Sequence, residues 1–244
     1  MSYFFDTTET VPNDVGFAQM GALHLVWLVI CLVVVVSSCI WYRKMQETGR
    51  GGWKKSVALL LIADELFKVA MLIIGGRYNA SYLPLHLCSI NIFVIAIHAW
   101  RPSKILDNFL FTVCIPGAAA ALIFPSWTSL PLGNFMHIHS FTIHILLMLY
   151  PVVLSVSGEL RPDVKQVPKS ILLLVVMAAL IYGINLLLDT NFMFLMQADP
   201  GNPLYLFEQM WGNHLLGFPV VIVGVLLVMY GPVVLFRKLH KKEL

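Results

Sequence analysis

The stretch LHLVWLVICLVVVVSSCIW (residues 23–41) runs nineteen residues without a charge. At 1.5 Å rise per residue it makes a helix about 28 Å long, close to the ~30 Å hydrocarbon thickness of a bilayer. Working outward from it, runs of the same kind recur, giving seven candidate spans at about 21–41, 56–75, 83–100, 105–123, 135–155, 169–188 and 214–236. The composition agrees. Of 244 residues 59% are hydrophobic and only 12% charged, with a mean hydropathy of +0.81. A soluble domain carries about 25% charged residues and needs them to cover its surface. An ordinary soluble enzyme, a nucleic-acid-binding domain and a disordered tail are therefore excluded. The expected fold is all-α, one polytopic membrane domain over 1–244, with short loops and prolines at or near the span ends (Pro84, Pro102, Pro125, Pro131, Pro151, Pro162, Pro168).

Positive residues are retained on the cytoplasmic side, so the Lys and Arg count gives the orientation. Fourteen of the sixteen fall on one side: Arg43, Lys44, Arg50, Lys54 and Lys55 after span one, Arg101 and Lys104 after span three, Arg161, Lys165 and Lys169 after span five, and Arg237, Lys238, Lys241 and Lys242 in the tail. Arg77 alone is opposite, and Lys68 lies within span two. The N-terminus is expected outside and the C-terminus inside, which requires an odd number of spans. The N-terminal segment has no basic n-region and no small-residue cleavage pattern, so span one reads as an uncleaved anchor in a multi-pass protein of the cell membrane.

With that topology six of eight histidines (His24, His86, His137, His139, His144 and His214) fall in the outer half. His144 lies about 13 Å down, and His137 shares its stripe two turns above. In span three Cys88 and Asn91 face the same way, with His86 two residues before Cys88. In span six Tyr182, Asn185 and Asp189 share a stripe toward the outer end. Span two carries Asp64, Glu65 and Lys68. Ionisable groups in the membrane are costly and normally face the protein interior with a partner. The four cysteines (Cys31, Cys39, Cys88, Cys114) form no CxxC pair, so neither a disulfide framework nor a zinc knuckle is expected. An interhelical metal or haem site is chemically reasonable for the histidines, but their spacing does not select a metal. No metal and no cofactor is expected. The apolar segment 189–212, without Lys or Arg, is expected to lie on the membrane surface or to roof the bundle.

The runs YLPLHLCSINIF (82–93), MHIHSFTIH (136–144) and the block with TNFMFL (190–195) and NPL (202–204) resemble the bacterial YwaF-like seven-helix membrane proteins, which are related to the eukaryotic transmembrane-protein-164 acyltransferases. The resemblance covers nearly the whole chain. It implies seven helices and, from the eukaryotic branch, coenzyme A-independent acyl transfer between phospholipids through a cysteine. In the P-L-H-L-C motif that cysteine corresponds to Cys88, and the histidines of 136–144 would supply the base.

The expected function is acyl transfer from a membrane lipid at an outward-facing Cys/His site. Cys88 would be the nucleophile and His144 or His137 the base, with His86 beside them. Asn91 or Asn185 would hold the oxyanion and Lys68 the lipid phosphate, with Asp189 and Asn191 completing the substrate side. The partner is a membrane lipid, not nucleic acid. The alternative is a transporter or receptor-like bundle using the Asp64, Glu65 and Lys68 cluster as a proton or ion path.

Overall fold

A computed structural model describes residues 3–199 and 202–240, with side chains to 235. The basic tail residues counted for orientation, Arg237, Lys238, Lys241 and Lys242, lie outside the described side chains. Among the described residues the chain is all-helical. Its helices are α1 (Ala22–Lys44), α2 (Glu47–Ile74), α3 (Leu87–Trp100), α4 (Lys104–Phe109), α5 (Ile115–Ile123), α6 (Phe135–Val156), α7 (Val167–Leu188), α8 (Leu204–Trp211) and α9 (Gly217–His240). Six stretches are long and apolar enough to cross a membrane: Ala22–Lys44, Ala80–Trp100, Lys104–Ile123, Phe135–Val156, Val164–Leu188 and His214–Leu235. α2 is long enough at 28 residues, but Asp64, Glu65 and Lys68 keep it out of that set.

The helices differ in what they bury. α6 is covered on nearly all sides and packs mainly on α1, α2, α3 and α5. α1, α7 and α9 turn aliphatic side chains outward, with Leu187 83% and Val228 72% exposed. An apolar surface on that scale is the surface of a protein solvated by lipid.

Two prolines shape the middle of the bundle. Pro151 lies inside α6 rather than at its end, because the helix continues past it to Val156. Lacking an N–H, it frees the Leu147 carbonyl one turn earlier. The Cys114 thiol donates to that carbonyl at 3.3 Å. Pro116, in the first turn of α5, follows a π-turn at Leu110–Cys114 that joins α4 to α5. A widened turn of this kind makes room for a ring that would clash with the preceding carbonyl.

Other departures from the sequence reading have physical reasons. α2 begins nine residues before the expected 56, as its basic first turns reach beyond the apolar run to the α6–α7 connection. There Glu159 accepts from Tyr42 Oη at 2.9 Å, Arg50 at 3.3 Å and Lys54 at 2.9 Å, tying α1, α2 and the end of α6 together. Residues 3–20, which carry no apolar run, are packed against the opposite end of the bundle. Asn134 caps α6 by accepting from the Met136 and His137 amides, and its own amide donates to the Tyr3 and Asp6 carbonyls. Gly16 is needed where this segment crosses the 124–134 loop, since a Cβ there would lie 2.0 Å from the Thr128 carbonyl oxygen.

Burial opposes ionisation of Glu159, but hydrogen bonds from Lys54 and Tyr42 and the charges of Lys54 and Arg50 outweigh it and hold the carboxyl below its ordinary 4.5. A depressed carboxylate pKa contributes stability above the unfolded value, and that contribution is lost as pH falls through the folded value. Glu159→Gln is expected to cost about 1 kcal/mol near neutral pH, given the partial exposure of the site. The difference from wild type should shrink once pH drops below the ordinary 4.5. Unfolding in detergent at two pH values checks this, and a difference that grows on acidification overturns it.

Candidate functional site

α3 opens on His86, in extended conformation at its N-cap, and places Cys88 in its first turn. At this position the first-turn N–H groups of the helix are not taken up by intrahelical bonds. Of the four free cysteines, Cys31 is packed in the core and Cys114 is spent on the Leu147 carbonyl. Cys88 is half-buried, lies beside Cys114, and has the charges of Lys68 and Glu65 acting on it. The Ser89 amide and hydroxyl lie against its sulfur.

α2 brings three ionisable groups to the same depth. Lys68 Nζ is 2.5 Å from Glu65 Oε1, to which the Ser89 hydroxyl also donates at 3.5 Å. α6 answers with His139, whose Nδ1 is 2.9 Å from Asp64 Oδ2 and whose Nε2 is 4.0 Å from Glu65 Oε2. The Asp64 contact is close but lacks the alignment of a hydrogen bond, and both atoms are buried without a hydrogen-bond partner.

Five residues on, His144 sits about 140° round the helix from His139. Its Nδ1 is 2.6 Å from the Ser140 carbonyl. A carbonyl only accepts, so Nδ1 carries the hydrogen and Nε2 keeps its lone pair. Trp127 stacks on the ring at 5.2 Å and 9°. The Asp64 contact to His139 and the Ser89 hydrogen bond to Glu65 bring α2, α3 and α6 together at this depth.

The other residues singled out from the sequence have different duties. His137 donates from Nδ1 to the Leu130 carbonyl at 3.0 Å and accepts from Trp27 Nε1 at 3.0 Å, so both nitrogens are engaged, one to the loop before α6 and one to α1. His86 accepts from the Met193 amide at 3.4 Å and lies against Phe192 and Phe194. Asn185 clamps the turn after α7, donating to the Phe192 carbonyl and accepting from the Phe192 amide and Thr190 hydroxyl. Asp189 caps α7 in a left-handed conformation, and Asn191 pins residues 196 and 197. These three build the roof over His86. The roof is held under strain, with Met193 at φ 59° and Phe194 at φ 54°, a conformation that non-glycine residues adopt at a cost. Lys68 is paired internally with Glu65. Asn91 is 2% exposed and its Oδ1 has no hydrogen-bond partner.

Sequence reasoning counted His139 among the outer histidines but gave it no partner, and it passed over Ser89 and Trp127. The partner was findable: three ionisable groups on α2 require a polar answer from a neighbouring helix, and the histidine-rich start of α6 is the richest source. Trp127 lies in a loop, where no periodicity applies.

Helical runs suited to a bilayer, an exposed aliphatic surface and a buried centre of thiol, imidazole and carboxylate groups define the class, a multi-pass integral membrane protein with a polar intramembrane site. The chain belongs to the TMEM164 family, whose model matches residues 19–230. No curated protein and no solved structure matches it.

Proposed function

We propose that the protein is a lipid acyltransferase with Cys88 as nucleophile and His144 as base, in a seven-span bundle of the YwaF-like kind in which α2 is the seventh span. The observation that carries this reading is that Cys88 and His144 both lie within electrostatic reach of the buried Asp64, Glu65 and Lys68 cluster. Cys88 is the cysteine at a helix N-terminus next to an ammonium, and His144 is the histidine whose Nδ1 is fixed while Nε2 keeps its lone pair. Buried polar atoms without hydrogen-bond partners include Asn91 Oδ1, Trp127 Nε1 and the facing pair Asp64 Oδ2 and His139 Nδ1. Each such atom costs about 1–3 kcal/mol; an ester carbonyl, which only accepts, suits the Trp127 Nε1–H, and an acceptor's hydroxyl suits Asn91 Oδ1.

The orientation supports a lipid donor. The Arg50, Lys54 and Glu159 end carries the basic loops and belongs in the cytoplasm, so the centre lies toward the outer leaflet of the cell membrane. An acyl-CoA in the cytoplasm has no route to it. In the first half-reaction His144 Nε2 takes the Cys88 proton and the sulfur attacks the ester carbonyl carbon. The S–C bond forms, the ester C–O bond breaks, and the proton passes from His144 to the departing oxygen. In the second half-reaction His144 takes the proton of an acceptor hydroxyl, whose oxygen attacks the thioester carbon; the S–C bond breaks and His144 returns the proton to the Cys88 sulfur. Asn91, one helical turn from Cys88 on α3, would donate its amide to the carbonyl oxygen.

A transporter would need a polar route from this centre to the inner cluster of His98, Asp107 and Tyr150. Between them lie Leu61, Ile95 and Leu147, each essentially unexposed, which favours the enzyme reading.

The test is to incubate purified protein in lipid nanodiscs with a phospholipid carrying an isotope-labelled acyl chain and to map adducts by peptide mass spectrometry. A hydroxylamine-labile acyl group on the Cys88 peptide is expected. Its absence under conditions where acyl transfer is measured removes the thioester mechanism.

A further inference from the structure

A second polar cluster lies at the other end of the bundle. His98 is ten residues along α3 from Cys88, about 15 Å at helical rise. A carboxylate only accepts, so His98 Nε2 donates to Asp107 Oδ1 at 2.8 Å, while Nδ1 meets the Tyr150 hydroxyl at 2.9 Å. His98 is 5% exposed and Tyr150 is fully buried, so the Asp107 carboxylate is held in place from inside the bundle. Its second oxygen, Oδ2, has no hydrogen-bond partner among the described residues.

Asp107 and His98 line a cavity of about 330 Å³, to which α2 adds Lys54 and the turn after α6 adds Glu159 and Arg161. Arg161 is folded back by a bond from Nε to the Gly158 carbonyl at 3.0 Å, and its Nη1 and Nη2 have no partner among the described residues. Lys54 gives one of its three N–H groups to Glu159 at 2.9 Å. Arg50 bonds the same carboxylate from outside the cavity. Three cations, Arg50, Lys54 and Arg161, thus meet two carboxylates, Asp107 and Glu159. The balance is positive, and a proton on His98 would only add to it. Trp41 and Trp100, exposed near the ends of α1 and α3, mark this level as a membrane–water interface.

We propose that this cavity binds a phosphodiester with a hydroxyl-bearing headgroup, as phosphatidylglycerol of the adjoining leaflet presents. The planar guanidinium of Arg161 suits the phosphate oxygens, and Asp107 Oδ2 accepts from the headgroup hydroxyl. An anion of one charge offsets the excess of the wall. Phosphatidylcholine carries the same phosphodiester but no net charge, and its quaternary ammonium has no N–H for Asp107. The site is separate from the Cys88 centre, and nothing in it depends on acyl transfer.

The experiment titrates the full chain in detergent with phosphatidylglycerol, phosphatidylcholine or glycerophosphoglycerol, and reads the bound fraction by native mass spectrometry. Phosphatidylglycerol should bind at least about tenfold more tightly than phosphatidylcholine, and Arg161→Gln should weaken it by about tenfold. Arg161 is exposed, so this variant should fold. Lys165→Gln removes an exposed charge from the same face outside the cavity and should leave binding nearly unchanged. Asp107→Asn should narrow the preference for the glycerol headgroup. Tight binding of phosphatidylglycerol alone assigns the site to a lipid of the leaflet, whereas equal binding of glycerophosphoglycerol assigns it to a soluble phosphodiester. Equal affinity for the two lipids overturns the proposal, as does an equal loss in Arg161→Gln and Lys165→Gln, or a preference undiminished in Asp107→Asn.

Discussion

Cys88→Ala is expected to abolish acyl transfer. In the proposed mechanism the sulfur is the atom to which the acyl group becomes attached, and nothing else at the site would replace it. Removing a covalent nucleophile costs several orders of magnitude in rate, often leaving only what binding and oxyanion contacts supply. The fold should hardly notice, because Cys88 is half-buried and makes no hydrogen bond across to another helix. Cys114→Ala provides the contrast. It leaves the Leu147 carbonyl without the donor that compensates for Pro151, so it should lower stability by about 1–2 kcal/mol while transfer persists. Both variants are to be purified in lipid nanodiscs and assayed for movement of a labelled acyl chain between phospholipids, with unfolding recorded in parallel. Transfer by Cys88→Ala at a tenth of the wild-type rate or more sinks the nucleophile assignment.

Lys68→Met should produce the largest loss of stability. It leaves Glu65 buried with only the Ser89 hydroxyl at 3.5 Å and His139 at 4.0 Å as its remaining contacts. Breaking one partner out of a buried ion pair costs about 3–5 kcal/mol, because the survivor is stranded. Replacing both partners removes the penalty, so Lys68→Met with Glu65→Leu should recover most of the loss. Denaturant unfolding in detergent reads both. A single variant within about 1 kcal/mol of wild type would mean that Glu65 reaches water, and the closed cluster described here would not exist.

Much of this architecture was legible beforehand. Apolar runs located the ends of α4, α5, α6 and α7 to within about two residues, because burying backbone in lipid demands a helix and little else. α2 was readable as a long helix, but its true start at Glu47 was not. Its basic first turns find their partner in Glu159, more than a hundred residues later, and no local pattern announces such a pair. Cys88 was legible through its motif. His139 was named among the outer histidines but not matched to Asp64, because the stripe joining His137 and His144 set the expected site, while the partner of Asp64 lay on another face of the same helix. His137 illustrates the reverse. It shares the favourable stripe, yet Trp27 and Leu130 occupy both of its nitrogens. Depth and periodicity say which residues are inside, but only the packed neighbours say which atoms remain free.

The placement of α6 also bears on how the chain is made. This helix is the bundle's centre, and its main partners, α1, α2, α3 and α5, all precede it. During synthesis those four wait with an unfilled middle until α6 enters, and the Asp64 and Glu65 carboxylates have no imidazole until His139 arrives. α7 and α9 follow onto a centre already closed, sharing less surface with it and offering more to the lipid. The order of elements along the chain is thus an order of assembly, in which the costly charges of an early helix are left for a later one to settle.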